Sequence, residues 1–584
     1  MDRPLVSLVS ANGSPPPAAD TRKPTRTWLV FVAAMLAATS ILAATQSYSS
    51  WGATWFWAKF YWPNFASFLL PVVAFSALVA AALRWLAPGG GEGAWLRRWV
   101  WIALLVRVAS VVFWPVALRT WGYSSPEQQA GFIATDAYNA SQLAWDRAQS
   151  DTPAVSAFAR GHGDNTGGIT FLAVVAYRAF SPDFQRPMLL GLLASCATSL
   201  TVLAVYHLAR LHASRPVAVG AAVITALYPE AVVIGSSHLQ QGYLALLLAF
   251  MLWGVSAVFV VGARQTSAAE PPLFAISRRG GLVLAFAALV MTIGVSFQFG
   301  ILAGAVLLLA AVWLADWRTT SGRILLGVLA AVVVVLPVLH FLAEAEIIPD
   351  SFNVWLIQWK FLFGQAWTEF DRMLAAPGTD LFETLMQRMP RQIAFVVAGV
   401  YGLLQPVLPA AIGFRNVEQS GGGIWQVLGL LRATGWYVLL PFLVYGGLSA
   451  LRGLKARRFQ AFASLIFWIV AAIASYRALG DQWDNPRYRL FVLAPMALLA
   501  AWGYWRWRET RSPWLARMAV PFATACIAMT LWYIARYWLA IRPSAIPVLA
   551  GVVSLSLLTF VLMLFWPRRS SSRPPETGSP PPIP

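Results

Sequence analysis

Residues 239–262 read LQQGYLALLLAFMLWGVSAVFVVG, a run of 24 residues without one charged side chain. About 20 apolar residues are enough for an α-helix to cross the hydrocarbon core of a bilayer. Similar runs recur along the 584-residue chain, which is 58% hydrophobic and only 11% charged. Because soluble domains carry about 25% charged residues, this composition excludes a soluble enzyme and indicates an all-α polytopic membrane protein.

Fourteen apolar runs are long enough to span, so we predict about fourteen transmembrane helices. They lie near residues 28–46, 65–84, 99–118, 188–210, 217–235, 239–262, 281–298, 300–316, 324–342, 435–452, 459–478, 489–506, 517–540 and 545–566. Two further stretches, 169–181 and 392–413, are ambiguous. Counting either one as a span reverses the orientation of everything that follows it.

The basic residues decide the orientation, because cytoplasmic loops carry an excess of Lys and Arg. If neither ambiguous stretch spans, the basic clusters, 452–458 among them, fall on one side. We therefore predict a multi-pass protein of the plasma (inner) membrane with both termini in the cytoplasm. The two ambiguous stretches become surface-lying or re-entrant helices on the outer side.

This orientation predicts the organisation of the whole chain. The expected segments are a disordered cytoplasmic tail (1–27), two additional N-terminal transmembrane helices (28–98), a transmembrane core (99–342) with a long outer loop (119–187), a second outer loop (343–434), the C-terminal transmembrane helices (435–566) and a disordered cytoplasmic tail (567–584). Both tails are rich in Pro and Ser, which is typical of disorder.

Several function classes are excluded by composition and layout. The formal charge of +19 comes from short clusters between apolar runs, which indicates membrane orientation and not nucleic-acid binding. No cytoplasmic segment approaches the size of a folded domain of about 100 residues, and no Asp-x-Asp pair occurs. A nucleotide-sugar transferase and an ATP-driven pump are therefore excluded. Cys196 and Cys526 lie in apolar runs, where we expect small buried side chains and not a disulfide.

The first outer loop contains a candidate general base. Asp136 begins a short amphipathic stretch with Tyr138 and Asn139, and it is either a base at the membrane surface or an acid placed to suit a helix dipole. The glycine-rich segment 161–168 contains His162 and Asp164. A His-x-Asp pair could bind a metal ion, but a solvated turn is the favoured interpretation, because the other four histidines are scattered over several spans and their ends.

The outer turn before residue 490 contains candidate anion ligands. It reads Asn485-Pro486-Arg487-Tyr488-Arg489. The two arginines are either interfacial anchors, partners of Asp481 or Asp484, or a clamp for phosphate oxygens, which guanidinium groups bind in bidentate fashion. Arg107 lies within a span, where a charged residue is either functional or part of a structural pair.

An ordered series of motifs resembles the C-type membrane glycosyltransferases (the GT-C superfold), which include the protein O-mannosyltransferases and the lipid A aminoarabinose transferases. The series comprises Asp136-Ala-Tyr138, the Gly167-Gly168-Ile169 segment leading to Tyr177-Arg178-Ala-Phe180, Leu227-Tyr228-Pro229-Glu230, and Arg487-Tyr488-Arg489. The similarity covers roughly 100–262 and 435–510.

The resemblance implies a GT-C-like fold, a polyprenyl-phosphate-sugar donor, and transfer of the sugar to a lipid, glycan or protein acceptor on the extracytoplasmic face. It implies catalytic roles for Asp136 and Asp164, donor-phosphate binding by Arg487, Arg489 and Arg178, and substrate contacts from Tyr138, Asn139, His162, Tyr488 and His238. Residues 236–241 (SSHLQQ) depart from the family, where many relatives have an acid, so Glu230 or Asp164 would supply the second one. No cofactor is required, although a divalent metal is an open alternative.

Two other functions fit the same bulk features. A transporter or flippase for lipid-linked saccharides would also have many spans and a basic cytoplasmic side. A catalytically silent assembly subunit would have the same architecture without the catalytic activity. Transporters place ionisable groups or broken helices near the bilayer midplane. Here the acids cluster in the predicted outer loops, which favours the enzyme.

Overall fold

The computed structural model describes residues 23–51, 57–158, 167–264, 276–314, 368, 389–413, 423–454, 457–477, 484–541 and 544–565. Within these ranges all regular elements are helices, and none is a strand. The chain is thus an all-α polytopic membrane protein, as its apolar runs predict.

Thirteen α-helices precede residue 315 in the described ranges. They are α1 (Lys23–Trp51), α2 (Trp57–Leu86), α3 (Gly90–Trp121), α4 (Pro126–Gln129), α5 (Thr135–Ala148), α6 (Gly168–Phe180), α7 (Pro187–Ser199), α8 (Thr201–His212), α9 (Arg215–Leu227), α10 (Pro229–Ser236), α11 (Gln240–Arg264), α12 (Arg278–Val295) and α13 (Phe297–Leu314). A 3₁₀ turn at Ala154–Phe158 lies between α5 and α6.

The second half of the chain continues the bundle. Its described helices are α14 (Arg391–Leu404), α15 (Leu408–Gly413), α16 (Gly423–Leu451), α17 (Arg458–Arg477), α18 (Asp484–Arg489), α19 (Leu493–Thr510), α20 (Pro513–Tyr537) and α21 (Ala545–Phe565). A 3₁₀ turn at Leu490–Val492 joins α18 to α19.

Nine spans in the described chain are long and apolar enough to cross a membrane, with α7 and α8 forming one of them. A tenth exists if α9 and α10, which are bent by 51°, cross together. Three more predicted spans, 28–46, 300–316 and 489–506, correspond to shorter or more charged helices within α1, α13 and α19. The last of the fourteen, 324–342, lies outside the described residues.

The helices run between two ends of the bundle. At the Asp136 end, Trp425 in the first turn of α16 donates a hydrogen bond to Gln128 of α4 (3.1 Å). At the Glu92 end, Arg210 of α8 donates to Glu92 in the first turn of α3 (3.0 Å). The two ambiguous stretches form α6 and α14, of 13 and 14 residues, which is shorter than a bilayer span requires. Both lie at the Asp136 end.

The first two helices join the bundle through a buried polar network around Arg186. The Arg186 side chain is 2% exposed, and its Nε donates to Asn64 of α2 (2.7 Å). Asn64 in turn donates to Ser47 of α1 (2.9 Å). The other two guanidinium nitrogens donate to both carboxylate oxygens of Asp183, and these bonds lower the pKa of Asp183.

The network also reaches the helix that carries Asp136. Gln185, next to Arg186, donates to the Ser141 hydroxyl of α5 (3.2 Å). Ser141 also bonds the Tyr177 hydroxyl of α6 (2.7 Å), and both side chains are buried. Hydrogen bonds from two adjacent residues, Gln185 and Arg186, therefore connect α5 with α1 and α2. The sequence gives no indication of this role for the N-terminal helices.

Candidate functional site

A cavity of about 410 Å³ lies at the Asp136 end, between α4, α5, α10, α16 and α18. Its wall contains four charged side chains, Glu127, Asp136, Arg432 and Arg487. The rest of the lining is aromatic, amide or apolar, and it includes Tyr123, Gln128, Val233, Leu239 and Trp425. Polar groups that converge on a cavity beside apolar side chains are typical of a ligand site.

Asp136 reaches this cavity because of the turn before α5. Gly131 adopts a φ of +85°, and a Cβ there would lie 2.7 Å from the Cβ of Pro115. A side chain is therefore excluded for both conformational and steric reasons. The turn directs the chain into α5, whose first turn contains Asp136. An acid at this position is also favoured by the helix dipole.

Asp136 and Arg487 are in direct contact. One Nη of Arg487 lies 2.9 Å from Oδ2 of Asp136, and the side chains are 13% and 67% exposed, respectively. The guanidinium also lies 5.3 Å from the centre of the Tyr488 ring. The structure thus brings together a solvent-accessible carboxylate and a shielded arginine that are 351 positions apart in the sequence.

Behind them is a buried ion pair between Glu230 and Arg432. Both carboxylate oxygens of Glu230 accept from the Arg432 guanidinium, at 2.5 and 2.8 Å, and the side chains are 1% and 4% exposed. Pro229 lacks the N–H that would continue α9, and the resulting bend places Glu230 inside the bundle. Gly435 allows this approach, because a Cβ there would lie 2.6 Å from Cδ of Pro229.

Two of the arginines predicted to bind phosphate have other contacts. Arg489 is 2% exposed; it donates to the main-chain oxygens of Leu403 (2.7 Å) and Gln405 (2.5 Å) and lies 3.9 Å from the ring centre of Trp436. Arg178 donates to four main-chain oxygens in the last turn of α5 and just after it, among them Thr152 (2.6 Å). Both guanidinium groups therefore fix local structure, and neither lines the cavity.

The residues predicted to contact substrates are scattered. Tyr138 packs edge-on against Phe132 on the core side of α5, whereas Asn139 is exposed. Tyr488 lies under Arg487. His162 and Asp164 fall outside the described residues, and with them the candidate metal pair and one of the two candidates for the second acid; the other candidate, Glu230, is the partner of Arg432. Among the residues that are described, no three His, Cys, Asp or Glu side chains cluster as metal ligands would.

His238 is buried beside the cavity and does not line it. Its two ring nitrogens lie 3.2 Å from the Ile169 oxygen and 3.1 Å from the Tyr243 hydroxyl. Burial lowers the pKa of His238 to about 4, so the ring is neutral near pH 7. Since a carbonyl oxygen only accepts, Nε2 donates to Ile169 and Nδ1 accepts from Tyr243. His238 thus anchors α6 to the start of α11.

Arg107 has a structural position within α3. Its side chain is 1% exposed and donates to the main-chain oxygens of Ala103 (3.1 Å) and Thr225 (3.2 Å). The second contact joins α3 to α9. Neither partner is a loop carboxylate, so the pairing considered from the sequence is not formed.

A second, apolar cavity of about 340 Å³ lies between α14, α16, α20 and α21. It is lined mainly by aliphatic and aromatic side chains, including Val400, Tyr437, Phe522 and Met529. Because Arg432 and Tyr437 are five residues apart on α16, they lie about 7.5 Å apart along the helix axis. They also point about 140° apart around the helix axis, so the two cavities contact different faces of α16.

Several residues of the large cavity were missed by the sequence analysis. The apolar run predicts a span that begins at residue 435 and so places Arg432 in the second outer loop, whereas α16 already begins at Gly423. A lone arginine in the long apolar stretch 423–451 was the available signal. No comparable sequence feature points to Gln128 or Trp425 as site residues. Their role is visible only from the hydrogen bond between them, which joins distant parts of the chain.

No protein-family model and no curated protein matches this chain. Among solved structures, it is similar to the crystal structure of the Archaeoglobus fulgidus oligosaccharyltransferase tethered with an acceptor peptide containing the NVT sequon. The identity is 14% and the TM-score 0.35, over 80% of this chain and 55% of that one. The chain spans about half the length of that protein, and a similarity this low carries no functional argument.

Proposed function

We propose that this protein is an integral-membrane glycosyltransferase that moves a sugar from a polyprenyl-phosphate donor to an acceptor hydroxyl. The observation that carries the proposal is the pairing, in one cavity, of an exposed carboxylate with a shielded arginine, Asp136 with Arg487. These are the two groups that such a transfer needs, one for the acceptor proton and one for the leaving phosphate.

Asp136 acts as the general base in this proposal. The acceptor hydroxyl loses its proton to the Asp136 carboxylate while its oxygen attacks the anomeric carbon. A positioned base of this kind contributes about 10²–10⁴-fold to a rate. A single direct displacement inverts the configuration at that carbon.

Arg487 stabilises the phosphate that departs. A phosphodiester donor carries one negative charge, and breaking its bond to the sugar adds a second charge to the phosphate. A guanidinium therefore binds the transition state more tightly than the ground state, which is the condition for catalysis. Arg432 also lines the cavity, where its charge is balanced by that of Glu230.

The resting contact between Asp136 and Arg487 suits this sequence of events. Without donor, the arginine holds the carboxylate at 2.9 Å. A donor phosphate competes for the same guanidinium and leaves the carboxylate available to the acceptor. Donor binding would thus precede activation of the acceptor.

Charge supports an extracytoplasmic location for the cavity. The Glu92 end carries Arg210, Arg452, Arg457 and Arg517 at or near the ends of its helices. Since basic residues favour the cytoplasmic side, the Asp136 end faces outward in this proposal. The apolar cavity beside α16 offers a surface on which part of the isoprenoid tail could pack.

Binding of undecaprenyl phosphate tests the proposal. We expect the purified protein in nanodiscs to be stabilised thermally by this lipid and Arg487→Gln to lose most of the stabilisation. Arg391→Gln is the matched control, because Arg391 is an exposed arginine of α14 outside the cavity. Equal stabilisation of wild type and Arg487→Gln would contradict a role for Arg487 in phosphate binding.

The same experiment separates the enzyme from its alternatives when it is combined with Asp136→Asn. A transferase with this substitution still binds the lipid but no longer transfers the sugar. Lipid translocation that survives in Asp136→Asn would favour a flippase, and transfer of wild-type rate in that variant would reject the assignment of the base.

A further inference from the structure

The large cavity has an aromatic wall formed by Tyr123 and Trp425. The two rings are nearly parallel, with an interplanar angle of 10° and centroids 6.5 Å apart. They come from different parts of the chain, the segment after α3 and the first turns of α16. Aromatic faces carry partial negative charge, and the C–H groups on one face of a pyranose ring carry partial positive charge. This wall is therefore suited to stacking with a sugar.

Gln128 holds the two aromatic residues in place. Its Oε1 accepts from the main-chain N–H of Tyr123 (2.7 Å) and from Nε1–H of Trp425 (3.1 Å). The Gln128 side chain is buried, so water competes little for these bonds. The wall is consequently formed before any ligand arrives, which lowers the entropic cost of binding.

Glu127, beside Gln128, supplies a carboxylate to the same cavity. It is half-buried, and among the described residues its side chain has no hydrogen-bond or ion-pair partner. A partly desolvated carboxylate without a partner is unfavourable, and ligand hydroxyl groups would satisfy it. The same charge would repel a ligand carboxylate placed against the wall.

We infer that Tyr123, Trp425 and Glu127 form the subsite for the transferred sugar, and that this sugar is a pyranose without an acidic group. The inference rests on the proposed function, since it concerns the sugar of the same donor. The wall and the Asp136–Arg487 pair line the same cavity, so a sugar stacked on the wall shares that cavity with both groups. Glu127 accepts hydrogen bonds from hydroxyl groups of the ring.

The test compares short-chain donors that differ only in the sugar. The reference probe is citronellyl methyl phosphate (abbreviated citronellyl phosphate), a diester with the same single charge as the phosphosugars. The other probes are the citronellyl phosphodiesters of glucose, mannose and galactose and of the glucuronic acid analogue, and each is titrated into the nanodisc-embedded protein. The ratio between the affinity for a phosphosugar and that for citronellyl phosphate reports the sugar subsite alone. We expect at least one neutral sugar to increase affinity and the glucuronate to bind about fivefold more weakly than that sugar.

Substitutions in the wall should affect only this sugar contribution. Trp425→Leu is expected to weaken the preferred phosphosugar roughly tenfold and to leave citronellyl phosphate unchanged, whereas Trp425→Phe loses less. Glu127→Gln should narrow the difference between the neutral sugar and the glucuronate. Trp85→Leu is the matched control, since Trp85 is 81% exposed and lies at the far end of α2.

The two proposals fail in different ways. If citronellyl phosphate itself does not bind, the proposed function is wrong and the subsite with it. If citronellyl phosphate binds, but no neutral sugar improves the affinity or Trp425→Leu leaves the improvement intact, only the subsite is wrong. Retention of citronellyl phosphate binding by the Trp425 variants shows that they are folded.

Discussion

Replacing Glu230 by Gln should destabilise the bundle strongly. The carboxylate accepts two hydrogen bonds from Arg432, at 2.5 and 2.8 Å, and both side chains are almost fully buried. Unit charges about 4 Å apart attract by about 4 kcal/mol at an effective dielectric constant near 20. Removing one partner of a buried pair costs about 3–5 kcal/mol, because the other charge remains desolvated. We therefore expect Glu230→Gln to lower the free energy of unfolding by about 3–4 kcal/mol.

Equilibrium unfolding in mixed micelles with increasing SDS measures this change. Glu509→Gln is the matched control, because Glu509 is 64% exposed and lies 4.0 Å from Arg506; its loss should stay within about 0.5 kcal/mol. The double variant Glu230→Leu/Arg432→Met removes both charges of the pair, so neither partner is left as an unpaired buried charge. It should recover most of the lost free energy of unfolding. A loss below about 1 kcal/mol in Glu230→Gln would mean that water reaches the pair, and the reasoning would fail.

Three further predictions concern the site and its supports. Asp136→Asn should reduce the rate of glycosyl transfer by about 10²–10⁴-fold. Because the side chain is 67% exposed, the free energy of unfolding should change by less than about 0.5 kcal/mol. A transfer rate near that of wild type would exclude Asp136 as the general base. Asn64→Leu should cost about 1–3 kcal/mol in SDS unfolding, because Nε of Arg186 loses its buried acceptor, and an unchanged midpoint would show that the network is dispensable. Burial lowers the pKa of His238 from 6.5 to about 4, so as the pH falls the unfolded chain takes up a proton before the folded protein does, and the free energy of unfolding decreases between these pH values. His238→Gln should show a shallower decrease of the free energy of unfolding with falling pH. Identical pH slopes for wild type and His238→Gln would contradict the assignment.

Hydropathy and charge were sufficient to predict the helical bundle. Each apolar run that the structure describes contains a helix. This is expected, because backbone N–H and C=O groups without hydrogen bonds are energetically unfavourable in lipid, and a helix pairs them within one segment. The two ambiguous stretches, 169–181 and 392–413, contain the short helices α6 and α14. The same reasoning placed Asp136 and Arg487 on one side of the membrane, and the structure brings them into contact.

Side-chain direction could not be predicted in the same way. Arg487 and Arg489 are two residues apart in the sequence, yet one faces the cavity and the other packs on Trp436. Residues two positions apart on a helix point about 200° apart. The shared motif Arg487-Tyr488-Arg489 is therefore no reason to expect the same role for both arginines. The pairing of Glu230 with Arg432 depends on a bend and a close helix contact, which local sequence does not specify.

The Arg186 network has a consequence for any shortened version of this protein. Trimming the chain to begin at α3 would remove Asn64. The Arg186 guanidinium, which is buried in the full chain, would then have one fewer hydrogen-bond acceptor. We expect the change to reach α5, the helix that contains Asp136, through the hydrogen bond from Gln185 to Ser141. The first two helices therefore help to position α5, and we expect their removal to displace Asp136, with which they share no hydrogen bond.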